Sequence, residues 1–239
     1  MSNRATLLSR LGNAALDALA PRLCPLCGTT VGVAQGACTQ CLDLLPPAPF
    51  PNELTALIAA RGARLGNIER IAARWTFAVD SPVQELIHTL KYNGLRTLAR
   101  QMGAELGLML RQFPEFAQAT AVVPVPLHSS RLRERGYNQA AEIAAGIAQT
   151  LRTARVEEVL VRKRATQTQT RLGAPERSQN VAGAFVLGRA LPADSAFLLC
   201  DDVCTTSATL DACAAVLQSA GAAHVLAATL AYDDPNAQR

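Results

Sequence analysis

At 239 residues the chain has room for one large domain and a small one, and 49% hydrophobic residues are ample for a core. A net charge of +4 suits phosphorylated ligands or nucleic acid without selecting either, and aromatic residues at 4% leave no obvious stacking platform for single strands. Membrane-spanning and exported classes are not expected. In residues 1–20 the apolar positions Leu7, Leu8, Leu11, Ala15 and Leu19 are interrupted by Arg10, Asn13 and Asp17, an amphipathic helix too short and too polar to span a bilayer or act as a signal peptide. It is expected to pack on the body, with a membrane-surface helix as the alternative. Seven cysteines without an export signal point to a reducing, cytoplasmic setting and to metal binding rather than disulfides.

The first chemical signal is Cys24, Cys27, Cys38 and Cys41, spaced C-x2-C-x10-C-x2-C. Two knuckles of two thiolates each make a tetrahedral Zn²⁺ site, and Gly28 permits the tight knuckle turn. The intervening Gly- and Val-containing segment suffices for a short hairpin. A redox pair or an iron–sulfur site are the alternatives, but no βαβ pattern surrounds either CxxC, as a thioredoxin-like reading would need. With all four positions used as ligands the zinc would be structural.

The run Pro46, Pro47, Ala48, Pro49, Phe50, Pro51 reads as a stiff linker and sets a boundary between residues 1–50 and 51–239. Asn52 is positioned to cap a helix over 53–63. Residues 70–79 read as a strand. Ser81-Pro82-Val83-Gln84 then gives an N-cap, proline at the first helical position and Gln at N3 of a helix running to about Lys91, stopped by Asn93-Gly94. A second helix over about 95–112 carries Leu98, Met102, Leu106 and Met109 on one face.

A strand over 120–125 closes on Pro124-Val125-Pro126-Leu127-His128, where either X-Pro bond is a place for a cis peptide. The segment Arg131 to Gln139 follows, then an Ala-rich helix to about Leu151 with Ile143 and Ile147 facing in, and a strand over 156–161. Residues 162–177 are basic and poor in apolar side chains, a loop of the kind that carries function. Packed pattern returns over 180–187. Strands near 196–200 and 224–230 flank a helix at 206–220, so the alternation predicts a mostly parallel sheet with helices on both faces.

The most informative run spans residues 196–210. It is apolar from Ala196 to Leu199, then has Asp201 and Asp202, then the hydroxyl residues Thr205, Thr206, Ser207 and Thr209 around Ala208, then a helical pattern through Leu210, Cys213, Ala214, Leu217 and Ala220. Ligands of open α/β sheets sit outside the carboxyl ends of strands. A helix N-terminus with hydroxyl donors favours phosphate. Ionised aspartates accept from sugar hydroxyls or join a Mg²⁺ shell. A phosphorylated sugar fits both halves, whereas simple helix capping needs one such residue and not six.

This run resembles the phosphoribosyl diphosphate (PRPP) signature of type I phosphoribosyltransferases, with Ser207 where that family has Gly. Leu90-Lys91-Tyr92-Asn93-Gly94, Pro124-Val125-Pro126-Leu127, Arg135-Gly136-Tyr137-Asn138-Gln139, and Gln169 with Arg177 and Asn180 stand between the four-cysteine ribbon and Asp201-Asp202 in the order seen in the ComF family of competence-associated proteins. The resemblance covers residues 22–232. It implies an α/β fold with a type I phosphoribosyltransferase-like parallel sheet flanked by helices, behind a small N-terminal four-cysteine zinc ribbon. Asp201 and Asp202 would hold the ribose hydroxyls as the catalytic pair. Thr205, Thr206, Ser207, Ala208 and Thr209 would hold the 5′-phosphate, and Pro126 and Leu127 belong to the pyrophosphate loop.

Mg²⁺ would enter with PRPP. Arg131, Arg133, Arg135, Arg162, Lys163 and Arg164 are candidate phosphate clamps, one or two of which are expected to touch ligand. Lys91 and Tyr92 fit the family motif, or mark a helix end carrying a favourable cation. His88 and His224 read as structural, His128 as a possible phosphate neighbour, and Cys200, Cys204 and Cys213 as non-nucleophilic. Two roles follow. One is a PRPP-binding phosphoribosyltransferase acting in natural competence. The other is a non-catalytic single-stranded DNA-handling protein that works with competence helicase-type proteins and uses PRPP as a regulator or not at all.

Overall fold

The computed structural model describes residues 21–62, 65–92, 95–155, 158–163, 183–191 and 195–234. The N-terminal helix expected over residues 1–20, the Asn93-Gly94 stop, and most of the basic loop with Arg164, Gln169, Arg177 and Asn180 lie outside that set.

Continuous apolar runs, buried on both faces, build a five-stranded parallel sheet from β1 (Ile71–Phe77), β2 (Ala121–Pro124), β3 (Ala154–Arg155), β6 (Ala196–Cys204) and β7 (His224–Asp233), in the order β1-β7-β6-β2-β3. β6 is central. Its Leu198 and Cys200 join one core and its Phe197 and Leu199 the other, as the two-residue strand period requires. The first core is covered by α3 (Pro82–Tyr92), α4 (Arg96–Leu110) and α7 (Gln139–Leu151). The second is covered by α2 (Pro51–Ala60), α8 (Ala208–Ser219) and an antiparallel hairpin of β4 (Leu160–Arg162) and β5 (Phe185–Leu187). The remaining short helices are α1 (Thr39–Asp43), α5 (Pro114–Ala117) and α6 (Ser129–Arg135). Among the described residues no helix is long and apolar enough to cross a membrane.

Helix boundaries follow local chemistry. Ser81 Oγ accepts from the Gln84 N–H at 3.2 Å, the cap expected of that sequence, and Gln84 Oε1 reaches one residue beyond the cap, to the Asp80 N–H. Asn52 does not cap α2. The helix starts one residue earlier, at Pro51, whose ring presets helical φ, and extended Phe50 takes the cap position. The strand expected over 156–161 is seen as β4 from Leu160, residues 156–157 being outside the described set.

α4 and α7 cross in close contact. A Cβ on Gly103 would sit 2.2 Å from the Ile143 carbonyl oxygen, and one on Gly146 would sit 2.1 Å from that of Arg100. Arg100 Nε pairs with Glu142 Oε2 beside this contact.

The proline run is more than a tether. Thr76 N–H donates to Pro46 O at 2.8 Å, Ala48 N–H to Arg74 O at 3.2 Å, and Pro47 bridges Trp75, so the run covers the outer edge of β1. Cys24, Val31, Ala37, Leu42 and Leu45 pack into the first core with Trp75 and Leu98. Gln101 Oε1 accepts from the Gly36 and Ala37 N–H groups at 2.8 and 3.0 Å, and its amide donates to Ala37 O at 2.9 Å.

Candidate functional site

The four sulfurs of Cys24, Cys27, Cys38 and Cys41 lie within 4.8 Å of one another, and none is in a disulfide. Thiolates around one Zn²⁺ at about 2.3 Å stand roughly 3.8 Å apart, and Cys27 Sγ is 3.7 Å from Cys38 Sγ. The first knuckle turns at Gly28, whose φ is 71°, and its flanks pair through Leu23 and Thr30, so the hairpin closes around the knuckle instead of between the two. Cys38 caps α1, its sulfur accepting from the Cys41 N–H at 3.4 Å. The Thr29 hydroxyl, then the Thr29 N–H, pull the Cys27 thiol down to about 6. Burial raises Cys24, but the N–H groups of Cys38, Cys27 and Leu26 outweigh it and leave the thiol lowered. Four sulfur donors, so clustered and so supplied with N–H donors, fit a closed metal site of the zinc type.

The second candidate lies at the carboxyl edge of the sheet. β6 continues past the expected end at Cys200 to Cys204, because β7 pairs with it as far as Tyr232. Asp201 and Asp202 therefore stand within the strand. Asp202 Oδ2 meets Lys91 Nζ at 2.9 Å, at the end of α3. Asp201 feels the charges of Asp202, then Lys91, then Arg162 on β4. Each carboxylate also accepts locally, Asp201 Oδ1 from the Asp202 N–H at 2.9 Å and Asp202 Oδ1 from the Val203 N–H at 2.8 Å.

Burial, then the neighbouring Asp202 carboxylate, push Asp201 up to about 7, against the pull of the Asp202 N–H, Lys91 and Arg162. Burial and the like charge of Arg131 lower Arg162, while Asp201 and Cys213 oppose this. The Arg162 guanidinium stands 5.2 Å from the centre of the Phe185 ring.

The hydroxyl turn follows at once. Thr205 is exposed, Thr206 and Thr209 are half-buried, and Ser207 is buried. Ser207 holds the left-handed backbone that glycine would take freely, at φ 55° and ψ −4°, and makes no side-chain cap bond. Its hydroxyl turns to the Thr206 carbonyl at 2.6 Å. The first amides of α8, at Ala208 and Thr209, open onto this turn without intrahelical acceptors.

The proline loop stands alongside, since β2 is the parallel neighbour of β6 and the Val125 N–H donates to Cys200 O at 2.8 Å. Pro126, Leu127 and His128 are half-buried after it. His128 caps α6, Nδ1 accepting from the Ser130 N–H at 3.3 Å.

The segment from Arg135 to Gln139 fastens these parts together. Asn138 Nδ2 donates to Val125 O at 3.0 Å, and the same side chain caps α7 through the Ala140 N–H. The Tyr137 hydroxyl and the Gln139 amide both donate to Leu90 O. Arg135 donates to Gln139 Oε1 at 3.0 Å. Arg96 stacks 5.3 Å from the Tyr137 ring centre and donates to Gly136 O at 3.1 Å.

The structure thus brings together Asp201, Asp202, the 205–209 turn, the 124–127 loop, Arg162 and Lys91. Lys91 as the partner of Asp202 was not read from sequence, where it is marked as part of a family motif and as a cation in the last turn of a helix. His88 and His224 are exposed, His224 pairing with Glu69 at 2.8 Å. Burial pushes Cys204 up to about 12 and raises Cys200 and Cys213 well above the usual thiol value, which leaves none of them a ready nucleophile.

Residues 133–239 match the phosphoribosyl transferase domain family. The DNA utilization protein YhgH of Salmonella typhi is 31% identical over 208 residues, spanning 85% of this chain and 81% of that protein. Competence protein F of Haemophilus influenzae is 27% identical over 210 residues, spanning 83% and 91%. A solved glutamine PRPP amidotransferase from B. subtilis is 20% identical, with a TM-score of 0.37 over 54% of this chain and 26% of that one. The fold and the domain match define a phosphoribosyltransferase-like protein that carries a four-cysteine ribbon at its N-terminal end. The chain belongs to the ComF family.

Proposed function

We propose that the carboxyl edge of β2 and β6 binds PRPP. The observation that carries this reading is the convergence of an acidic pair, a hydroxyl turn opening a helix, and a proline loop on one edge of a parallel sheet. Asp201 and Asp202 accept from the ribose hydroxyls. Thr205, Thr206, Ser207, Ala208 and Thr209, with the α8 amides, take the 5′-phosphate. Pro126 and Leu127 border the pyrophosphate, and Arg162, which feels the charge of Asp201, is a phosphate clamp; Arg164 is assigned to the same task from sequence.

The oxygens of Asp201 and Asp202 are partly committed to backbone N–H groups and to Lys91, so they do not form an all-protein cage. That suits a Mg²⁺ held mainly by substrate phosphates, ribose hydroxyls and water. When bound, the ion would neutralise charge on the departing pyrophosphate. The chemistry open to the site is displacement of pyrophosphate at ribose C1′ through an oxocarbenium-like transition state, the protein shielding the cation from water. The ribbon carries structural zinc, with residues 1–50 as its unit and 51–239 as the phosphoribosyltransferase-like domain, acting in the cytoplasm.

The names of the relatives support a role in competence and DNA utilization. The second reading, a single-stranded DNA-handling protein partnered by competence helicase-type proteins, draws on the same names and on the exposed Arg133 and Lys163. Calorimetry with PRPP and Mg²⁺ tests the first, with Asp202→Asn as control. Absence of wild-type binding would remove the enzyme reading. DNA affinity that falls steeply with salt and ignores Asp202→Asn would place a DNA contact elsewhere on the basic surface.

A further inference from the structure

We propose that Lys91 is a transferable cation: it occupies Asp202 in the ligand-free protein and passes to the diphosphate when ribose arrives, so that the site selects PRPP over ribose 5-phosphate. This rests on the PRPP reading above.

Both oxygens of Asp202 are engaged in the structure, Oδ1 by the Val203 N–H and Oδ2 by Lys91. A ribose hydroxyl that donates to Asp202 must share or take the position of the ammonium. Lysine suits such an exchange, being a compact charge on a flexible four-carbon stem, and the side chain is 26% exposed.

The root of that stem is fixed. Leu90 O is held by Tyr137 and Gln139, while Asn138 between them holds Val125 O in the proline loop. Three consecutive residues thereby fix both the backbone beside Lys91 and the loop assigned to pyrophosphate. The ammonium can swing while its origin stays put. Arg162 is not equivalent, because its guanidinium stacks on Phe185 of the β4–β5 hairpin.

The consequence is selectivity. PRPP displaces the ammonium from Asp202 and supplies a new anion for it. Ribose 5-phosphate has the same hydroxyls and the same 5′-phosphate, but brings no diphosphate to receive the displaced ammonium, which is costly in a partly buried site.

The test uses the full chain and calorimetry with PRPP or ribose 5-phosphate, each with Mg²⁺, on wild type, Lys91→Met and Lys91→Arg. Wild type should prefer PRPP. Lys91→Met should lose roughly tenfold or more in PRPP affinity while ribose 5-phosphate affinity holds or rises, and Lys91→Arg should restore part of the preference. Equal losses for both ligands, or no loss for either, would overturn the proposal while PRPP binding itself stands. A wild type that binds neither ligand would instead remove the underlying reading. If Lys91→Met does not fold, the Lys91 side-chain amine signal in wild-type NMR decides the matter. It should move on adding PRPP and differently on adding ribose 5-phosphate, and an unmoved signal at saturation with PRPP overturns the transfer.

Discussion

The Tyr137 hydroxyl donates to the carbonyl of Leu90, one residue before the lysine that pairs with Asp202. That bond connects the start of α7 to the end of α3 and sets the backbone from which Lys91 reaches the acidic pair. Tyr137→Phe removes the donor and leaves Leu90 O, among the described side chains, the longer Gln139 bond at 3.4 Å. The expected stability loss is about 1 kcal/mol, accompanied by weaker PRPP binding, measured by urea unfolding and calorimetry. Unchanged PRPP affinity despite the lost hydroxyl would detach this bond from the site.

Ser207 gives the second prediction. Its left-handed φ of 55° is the conformation in which a side chain costs roughly 1 kcal/mol. Ser207→Gly relieves that strain and loses the local bond to the Thr206 carbonyl. It should hold or raise the melting temperature and keep PRPP binding. Ser207→Val adds a β-branched side chain at a buried left-handed position and should lose about 2 kcal/mol. The reverse ranking by thermal unfolding would show that the serine hydroxyl matters more than the backbone.

Much of this site was legible in the sequence because its parts are local. Residues 196–210 place a strand, an acidic tip, a hydroxyl turn and a helix in order, and each follows from apolar pattern or turn chemistry. What was hidden depends on distant partners. β6 runs on to Cys204 because β7 pairs with it there, so the aspartates fall within the strand. Lys91 meets Asp202 across more than a hundred residues, which no periodicity encodes. The proline run reads as a stiff linker, but its pairing with the edge of β1 depends on carbonyls that composition does not show. β4 and β5 overlap the strand expected over 156–161 and the packed pattern over 180–187, but their antiparallel pairing joins segments that no local pattern links.

The raised Asp201 carboxyl makes stability depend on pH. Its folded value, about 7, exceeds the usual carboxylate value of about 4. Between these values the folded protein retains a proton that the unfolded chain has released. The stabilisation is complete below about pH 4 and is lost as pH rises through 7, with a slope of up to about 1.4 kcal/mol per unit. Asp201→Asn should flatten that part of the curve in denaturant titrations between pH 5 and 8. PRPP affinity should rise over the same interval, because the ionised carboxylate is the better acceptor for ribose hydroxyls. A wild-type profile superimposable on that of Asp201→Asn would count against the raised value.

Metal removal should be felt beyond the ribbon. Gly36 lies so close to α4 that an added Cβ would sit 2.4 Å from Leu98 Cα, and Gln101 makes three hydrogen bonds to Gly36 and Ala37. A tight chelator, or Cys38→Ser, should release about one zinc per chain and lower the melting temperature of the whole protein in a single transition. A body that melts at an unchanged temperature would show the ribbon to be thermodynamically independent, and a purified protein with no zinc would reject the metal assignment.

The helix pair under the site offers the most direct test of packing. Gly146 of α7 abuts the Arg100 carbonyl and Gly103 of α4 abuts the Ile143 carbonyl, each too close for a methyl group. These are backbone neighbours and cannot rotate aside. Gly→Ala within an exposed helix would stabilise by up to about 1 kcal/mol, so propensity and packing predict opposite signs here. Overpacking commonly costs about 1–3 kcal/mol, and with two rigid elements in contact Gly146→Ala should lie at the upper end of that range. Separating α7 from α4 would also strain the Arg100–Glu142 pair and shift the start of α7, where Tyr137 and Asn138 hold Leu90 and the proline loop. Gly146→Ala should therefore weaken PRPP binding as well as stability, although it lies far along the helix from the acidic pair. Gly28→Ala provides the contrast. It has open space for a methyl group, and its cost comes from the positive φ of 71° alone. Urea unfolding of the two variants separates crowding from backbone strain, and a stabilised Gly146→Ala would show that α4 and α7 are free to move apart.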